Sequence, residues 1–192
     1  MGSPQLANGE GQYPGRLPLT TPTPQTRSAP ERRRPLASAA EPKRGPEHDL
    51  LSVFAGGWRA EGLSWNPDSG GESQMVADQA WEWMAGGFFL TCRFDSRAGD
   101  GRHRGMGYLA YDEGRKSHIC RMVDNLGHDR LYLLSVNGRV WTFRGERERA
   151  TYSFSEDGRG IDIRWEQSAD GSDWSPVCEL KAVRTAGLPT TH

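Results

Sequence analysis

The 192 residues carry 24 Lys and Arg against 25 Asp and Glu, a formal net charge of −1, which excludes the broadly basic surface of an unspecific nucleic-acid binder. The length suits one domain, and no apolar run approaches the roughly 18–20 residues that a helix needs to cross a bilayer, so a soluble protein is expected. Three scattered cysteines, an odd number, make no disulfide framework and fit a reducing, cytoplasmic setting.

Composition changes near residue 46. Nine of the twelve prolines and none of the seven tryptophans lie in residues 1–46. This leader, with "PLTTPTPQTRSAP" and "ERRRPLASAAEPKRGP", lacks the apolar periodicity that would offset the entropy of ordering, and the composition predicts disorder there. Seven Lys and Arg against three Asp and Glu make the leader basic, while the remainder holds seventeen against twenty-two. The bias reads as a solvated linker, able to touch polyanions weakly but marking no specific nucleic-acid partner. Arg32 to Arg34 suggest a twin-arginine export signal, but no apolar segment of about 7–15 residues follows them. The folded domain is placed at 47–184, with a flexible tail at 185–192.

"EHDLLSVFAGGW" opens the domain with a short helical pattern whose apolar residues Leu50, Leu51, Val53 and Phe54 are stopped by Gly56 and Gly57. From Trp58 onward alternation replaces helical period. About ten strands are predicted, near 58–65, 75–84, 87–96, 103–112, 116–123, 130–136, 139–145, 149–155, 160–168 and 174–184. The turns between them are explicit in "YDEGRK", "SVNGRV", "SEDGRG" and "SADGSDW", where Asn-Gly and Asp-Gly accept the positive φ of tight hairpins. In "AWEWMAGGFFL", Trp81 and Trp83 share one face, Gly86 and Gly87 permit a reversal, and Phe88, Leu90, Cys92 and Phe94 share a face of the next strand. The same apolar series continues through Tyr132, Leu134, Val136, Trp141, Phe143, Tyr152, Phe154, Ile161, Ile163 and Trp165. So long an antiparallel meander exposes two edges unless it closes, so the predicted fold is an all-β, up-and-down, lipocalin-like barrel with a short N-terminal helix.

The helix followed by "FAGGW", then "EWMAGGFFL", "GMGYLAYD" and "WEQSADGSDW" in that order, resembles the bacterial domain-of-unknown-function family 1579 over roughly residues 47–184. The resemblance implies a calycin-type barrel and supplies no activity. The Gly-Trp after a helix is more distantly similar to nitrobindin, a haem-carrying ten-stranded barrel. That family holds its haem through a histidine near the C-terminus, whereas "RWEQSADGSDWSPVCELKAVRT" contains none and His192 sits on a polar tail.

Several residues carry chemistry without forming a signature. "SHICRMVD" sets His118, Cys120 and Met122 on one strand face, a soft ligand stripe for copper or haem or, more simply, core filling. In "GRHRGMGYLAYD", His103 shares a face with Gly105 and Gly107, which either hollow out that face or let the strand bend. "DNLGHDR" offers Asp124, His128 and Asp129 at the barrel mouth, a His–Asp pair for proton transfer or an ordinary polar turn. No nucleophile elbow, phosphate loop, Cys-x-x-Cys or His-Glu-x-x-His is present.

The function expected is the binding of a small, largely apolar molecule in the lumen. Trp83, His118, Met122, Tyr132, Trp141 and Trp165 are the candidate lining, since a barrel of this size leaves room for one small ligand. The alternative is an isomerase or cyclase using His103, His118 or Tyr132 as acid or base; no catalytic residue, metal or cofactor is assigned. The purified protein is expected to be colourless and free of stoichiometric iron, copper and zinc. A Soret band near about 400 nm that survives desalting, or one equivalent of metal lost on His118→Ala, would overturn that expectation.

Overall fold

The computed structural model describes residues 43–66 and 69–186. The disorder expected of the leader and the flexible tail therefore fall, for residues 1–42 and 187–192, outside the described residues. Helix α1 spans Pro46–Leu50, with proline at its first turn, and runs on into a 3-10 turn at Leu51–Val53. Gly56, at φ 115°, ends the segment and starts the first strand.

Ten strands follow in chain order among the described residues: β1 (Gly56–Trp65), β2 (Glu72–Trp83), β3 (Phe89–Ala98), β4 (Gly101–Asp112), β5 (Ser117–Asp124), β6 (Asp129–Asn137), β7 (Val140–Arg144), β8 (Glu148–Phe154), β9 (Gly160–Gln167) and β10 (Ser175–Thr185). Each pairs antiparallel with its sequence neighbours, and β1 pairs with β10 from Gly57 opposite Thr185 to Ser64 opposite Cys178. The barrel is closed, so no strand exposes an unpaired edge. Gly138, Gly158 and Gly171 take positive φ in the three turns where Asn-Gly and Asp-Gly predicted it.

The alternation expected of the strands is observed. Trp58 and Ala60, Trp81, Leu90 and Cys92, Leu109, Cys120, Tyr132 and Leu134, Trp141 and Phe143, Tyr152 and Phe154, Ile161 and Ile163, and Leu180 form one buried cluster. Phe88 departs from the pattern. The reversal after β2 takes a longer loop, closed by the Met84 N–H on the Phe89 carbonyl at 2.9 Å, so Phe88 leaves the strand and meets the His48 ring edge-on at 5.3 Å. Gly105 and Gly107 do not hollow out their face: an added Cβ would lie 2.5 Å from the Phe94 ring and 2.4 Å from Met122 Sδ respectively. Glycine is required there because neighbouring side chains and the β5 backbone come close.

The segment after α1 plugs one end of the barrel. Phe54 is 1% exposed, and its ring meets those of Trp81, Trp141, Phe143, Tyr152 and Phe154 at centroid distances of 5.1–6.0 Å. The Trp58 indole N–H donates to the Phe54 carbonyl at 2.8 Å. Arg184 of β10 donates to the Ala55 and Val53 carbonyls and stacks on the Trp58 ring at 4.3 Å. Truncation of Phe54→Ala is expected to cost about 3–5 kcal/mol, read from urea unfolding; a loss below about 1 kcal/mol would show that the plug contributes little.

Candidate functional site

Beyond the plug, the barrel encloses a cavity of about 310 Å³. Its walls are apolar or weakly polar: Met75, Ala77 and Trp81 from β2, Cys92 and Phe94 from β3, Cys120 and Met122 from β5, Tyr132 from β6, Phe143 from β7, Tyr152 from β8, Ile163 and Trp165 from β9, and Cys178 and Leu180 from β10. Polar residues gather at the end away from the plug: His103, Asp124, Arg130, Glu148, Glu166 and Gln167. Strand parity explains who faces in. Asp124 continues the inward series of His118, Cys120 and Met122, and Glu148 that of Ala150, Tyr152 and Phe154.

Three of the six residues expected to line the lumen do so: Met122, Tyr132 and Trp165. The other three lie at the plugged end. The His118 ring donates from Nε2 to the Glu47 carbonyl at 2.8 Å and packs against Trp141 at 5.2 Å. Trp83 lies under the Arg44 guanidinium at 4.5 Å. Alternation places all six on the inner face, but it carries no information about depth along the barrel. The stripe of His118, Cys120 and Met122 is divided in the same way, with its imidazole committed to the helix and the other two facing the cavity.

Asp124 organises the mouth. Its carboxylate receives His103 Nε2 at 3.0 Å, His128 Nδ1 at 3.0 Å, Arg130 Nη1 at 2.7 Å and the backbone N–H groups of Leu126 and His128 at 2.9 and 3.0 Å. Burial opposes its ionisation, but these donors outweigh the burial and hold the carboxyl well below the ordinary carboxylate range. Arg130 also donates from Nε to Glu148 at 2.9 Å, and the Glu148 carboxylate accepts the Tyr132 hydroxyl at 2.5 Å. Burial first, and then that bond to Glu148, push the Tyr132 phenol far above its usual range, so it keeps its proton. Deeper in, the Trp165 indole donates to the Tyr152 hydroxyl at 3.3 Å, and the Trp81 indole to Gln79 Oε1 at 3.2 Å.

The three cysteines are free and buried. Burial raises all three thiols, Cys178 to about 12, and they remain neutral at physiological pH. They are walls of the cavity rather than thiolate ligands. Among the described residues no group of three or more His, Cys, Asp or Glu side chains is arranged to hold a metal ion. The C-terminal histidine through which the nitrobindins hold haem has no counterpart here, because β9 and β10 contain no histidine.

Of the acid–base candidates, His103 lines the cavity with Asp124 behind it, Tyr132 lines it with its proton held by Glu148, and His118 is spent on the plug. Asp124 was singled out with His128 as a mouth pair, and the two are bonded, whereas Arg130, Glu148 and Tyr152 escaped selection as site residues in the sequence. The signal present was their inward parity.

A plugged, closed ten-stranded barrel with an apolar lumen and a hydrogen-bonded polar mouth is the class of protein these observations define. The model of the family described as "Protein of unknown function (DUF1579)" matches residues 43–182, and the chain belongs to that family. No curated protein matches the sequence. Among solved structures the chain is similar to Rv2717c from M. tuberculosis, at 19% identity, a TM-score of 0.57 and coverage of 73% of this chain and 98% of that one. It also matches the S-type phycobiliprotein lyase CPES from Guillardia theta, at 10% identity, a TM-score of 0.46 and coverage of 75% and 95%. A de novo designed fluorescence-activating β-barrel matches at 14% identity, a TM-score of 0.40 and coverage of 71% and 98%. The likeness to Rv2717c is one of fold.

The depressed Asp124 carboxyl has a consequence for acid stability. Its folded-state affinity for protons lies below its unfolded one, so its contribution is full above about pH 4 and is lost as pH falls further. Asp124→Asn should therefore lower stability at neutral pH and flatten the acid limb of the stability profile. An unchanged slope below about pH 4 in denaturant titrations would show that the mouth network is not what acid breaks.

Proposed function

We propose that this protein is a carrier or sensor that binds a small, largely apolar molecule inside the barrel, with a lipocalin-like mode of entry through the polar mouth. The observation that carries this reading is the 310 Å³ cavity itself, walled by aromatic, aliphatic and sulfur-bearing side chains from eight of the ten strands. A barrel built only for packing would fill this space, since interiors close to organic-crystal density leave few voids larger than a water molecule. The mouth supports the reading as well. A network fixed around Asp124 keeps the entrance shaped and polar without collapsing onto the apolar walls. Free, buried thiols are in keeping with a reducing, cytoplasmic setting. The described residues contain no helix long and apolar enough to cross a membrane.

An isomerase or cyclase reading draws on one observation, the half-exposed His103 ring with the Asp124 carboxylate behind it at the mouth. It would require that the ligand place its reacting atom near the entrance rather than among the deeper aromatic walls.

Trp81 and Trp165 both line the cavity, so occupancy is expected to change tryptophan emission. An uncharged environment-sensitive dye such as Nile red should bind the native protein with blue-shifted fluorescence. Ala77→Phe, which fills space among the β2 walls, should abolish that binding while the far-ultraviolet spectrum stays that of a β-barrel. Dye binding that survives Ala77→Phe undiminished would place the site elsewhere.

A further inference from the structure

Deep in the lumen the unused hydrogen-bonding capacity includes donors. Tyr152 is 5% exposed, lines the cavity, and its hydroxyl oxygen accepts the Trp165 indole N–H. Its own proton has no acceptor among the described residues. Burial, ahead of its neighbours, raises this phenol well above its usual range, so the proton is retained. Gln79, also in the wall, accepts the Trp81 indole at Oε1 and has its amide hydrogens left over. A buried donor left unmatched is costly, and a ligand that brings an acceptor repairs it.

Charge at the mouth narrows the ligand further. Arg130 is the one lysine or arginine among the described cavity-lining residues, and Asp124 and Glu148 both hold it. Glu166, the third carboxylate, is bonded to Arg149 and Arg164. A ligand carboxylate would thus enter past Asp124 and Glu148 into an apolar lumen with no free cation to meet it, and desolvation would go uncompensated. An ammonium group fares little better. Asp124 already accepts five donated hydrogens, Glu148 accepts Arg130 and Tyr132, and the depth of the lumen offers donors rather than acceptors.

We propose that the lumen takes an uncharged, largely apolar molecule bearing a hydrogen-bond-accepting oxygen, such as a ketone, aldehyde or ester, and that the Tyr152 hydroxyl is the donor that recognises it. The proposal rests on the lumen being a binding site. It adds which chemistry the site selects and which residue selects it.

Displacement of Nile red by four molecules of matched length tests it: methyl nonyl ketone, undecane, decanoate and decylamine. The ketone should compete best, and decanoate should be weaker than the ketone by at least about tenfold. In Tyr152→Phe the ketone should lose about fivefold, the worth of one hydrogen bond, while undecane stays within about twofold and so reports an intact lumen. Decanoate or decylamine competing as well as the ketone would overturn the charge argument and the proposal. Equal losses for ketone and undecane in Tyr152→Phe would overturn the role of the hydroxyl, reducing it to shape. Failure of all four, undecane included, would remove the lumen as a site and the proposal with it, a pattern distinct from the other two.

Discussion

The pairing of β1 with β10 is the contact on which the rest depends. It closes the sheet, and it brings the C-terminal Arg184 over the segment that links α1 to β1. Gly62 is part of the same seam. It stands opposite Leu180, where an added Cβ would meet the Glu179 carbonyl oxygen at 2.1 Å, so the seam accepts no side chain at that point. Once the ring is closed, the plug residue Phe54 has five aromatic neighbours from three strands, and the remaining interior becomes a cavity with one polar end. An open sheet would have no inside to line.

Polar and apolar parts of the interior are separated along the barrel axis, and the separation follows from satisfiability. Charged groups in a low-dielectric space need partners, and Asp124, Arg130 and Glu148 supply one another where β5, β6 and β8 end at the mouth. The aromatic N–H and O–H groups deeper inside are met singly: Trp58 by a plug carbonyl, Trp81 by Gln79, Trp165 by Tyr152. Tyr152 is the point at which this chain of single partners ends. The mouth is therefore a preformed charged frame, while selectivity among uncharged molecules falls to a few buried dipoles.

How much of this was legible in the sequence differs from residue to residue. Asn137-Gly138 and Asp157-Gly158 announced their hairpins because only a few residue types tolerate the backbone those turns require. Trp81, Cys92, Tyr132, Tyr152 and Ile163 announced their side of the sheet because side chains alternate strictly along a strand. Phe88 was misplaced by the same rule, since alternation holds only within the strand and the loop after β2 extends through it. Gly105 and Gly107 were ambiguous because an absent side chain looks the same whether it leaves a space or makes way for Phe94 and Met122.

The sequence alone thus determined the run of antiparallel strands, their inward face and the location of their turns, all of which follow from interactions between residues near in the chain or from a period of two. Tertiary structure decided depth, and depth separates a plug from a wall. His118 and Met122 have the same parity on one strand, yet one is bonded to Glu47 of the helical segment, 71 residues away in sequence, and the other faces the cavity. Tertiary structure also decided that Asp124 meets His103 from β4 and Arg130 from β6, and that the Tyr152 hydroxyl meets the Trp165 indole. Those contacts depend on register and closure around the ring, which no local pattern encodes.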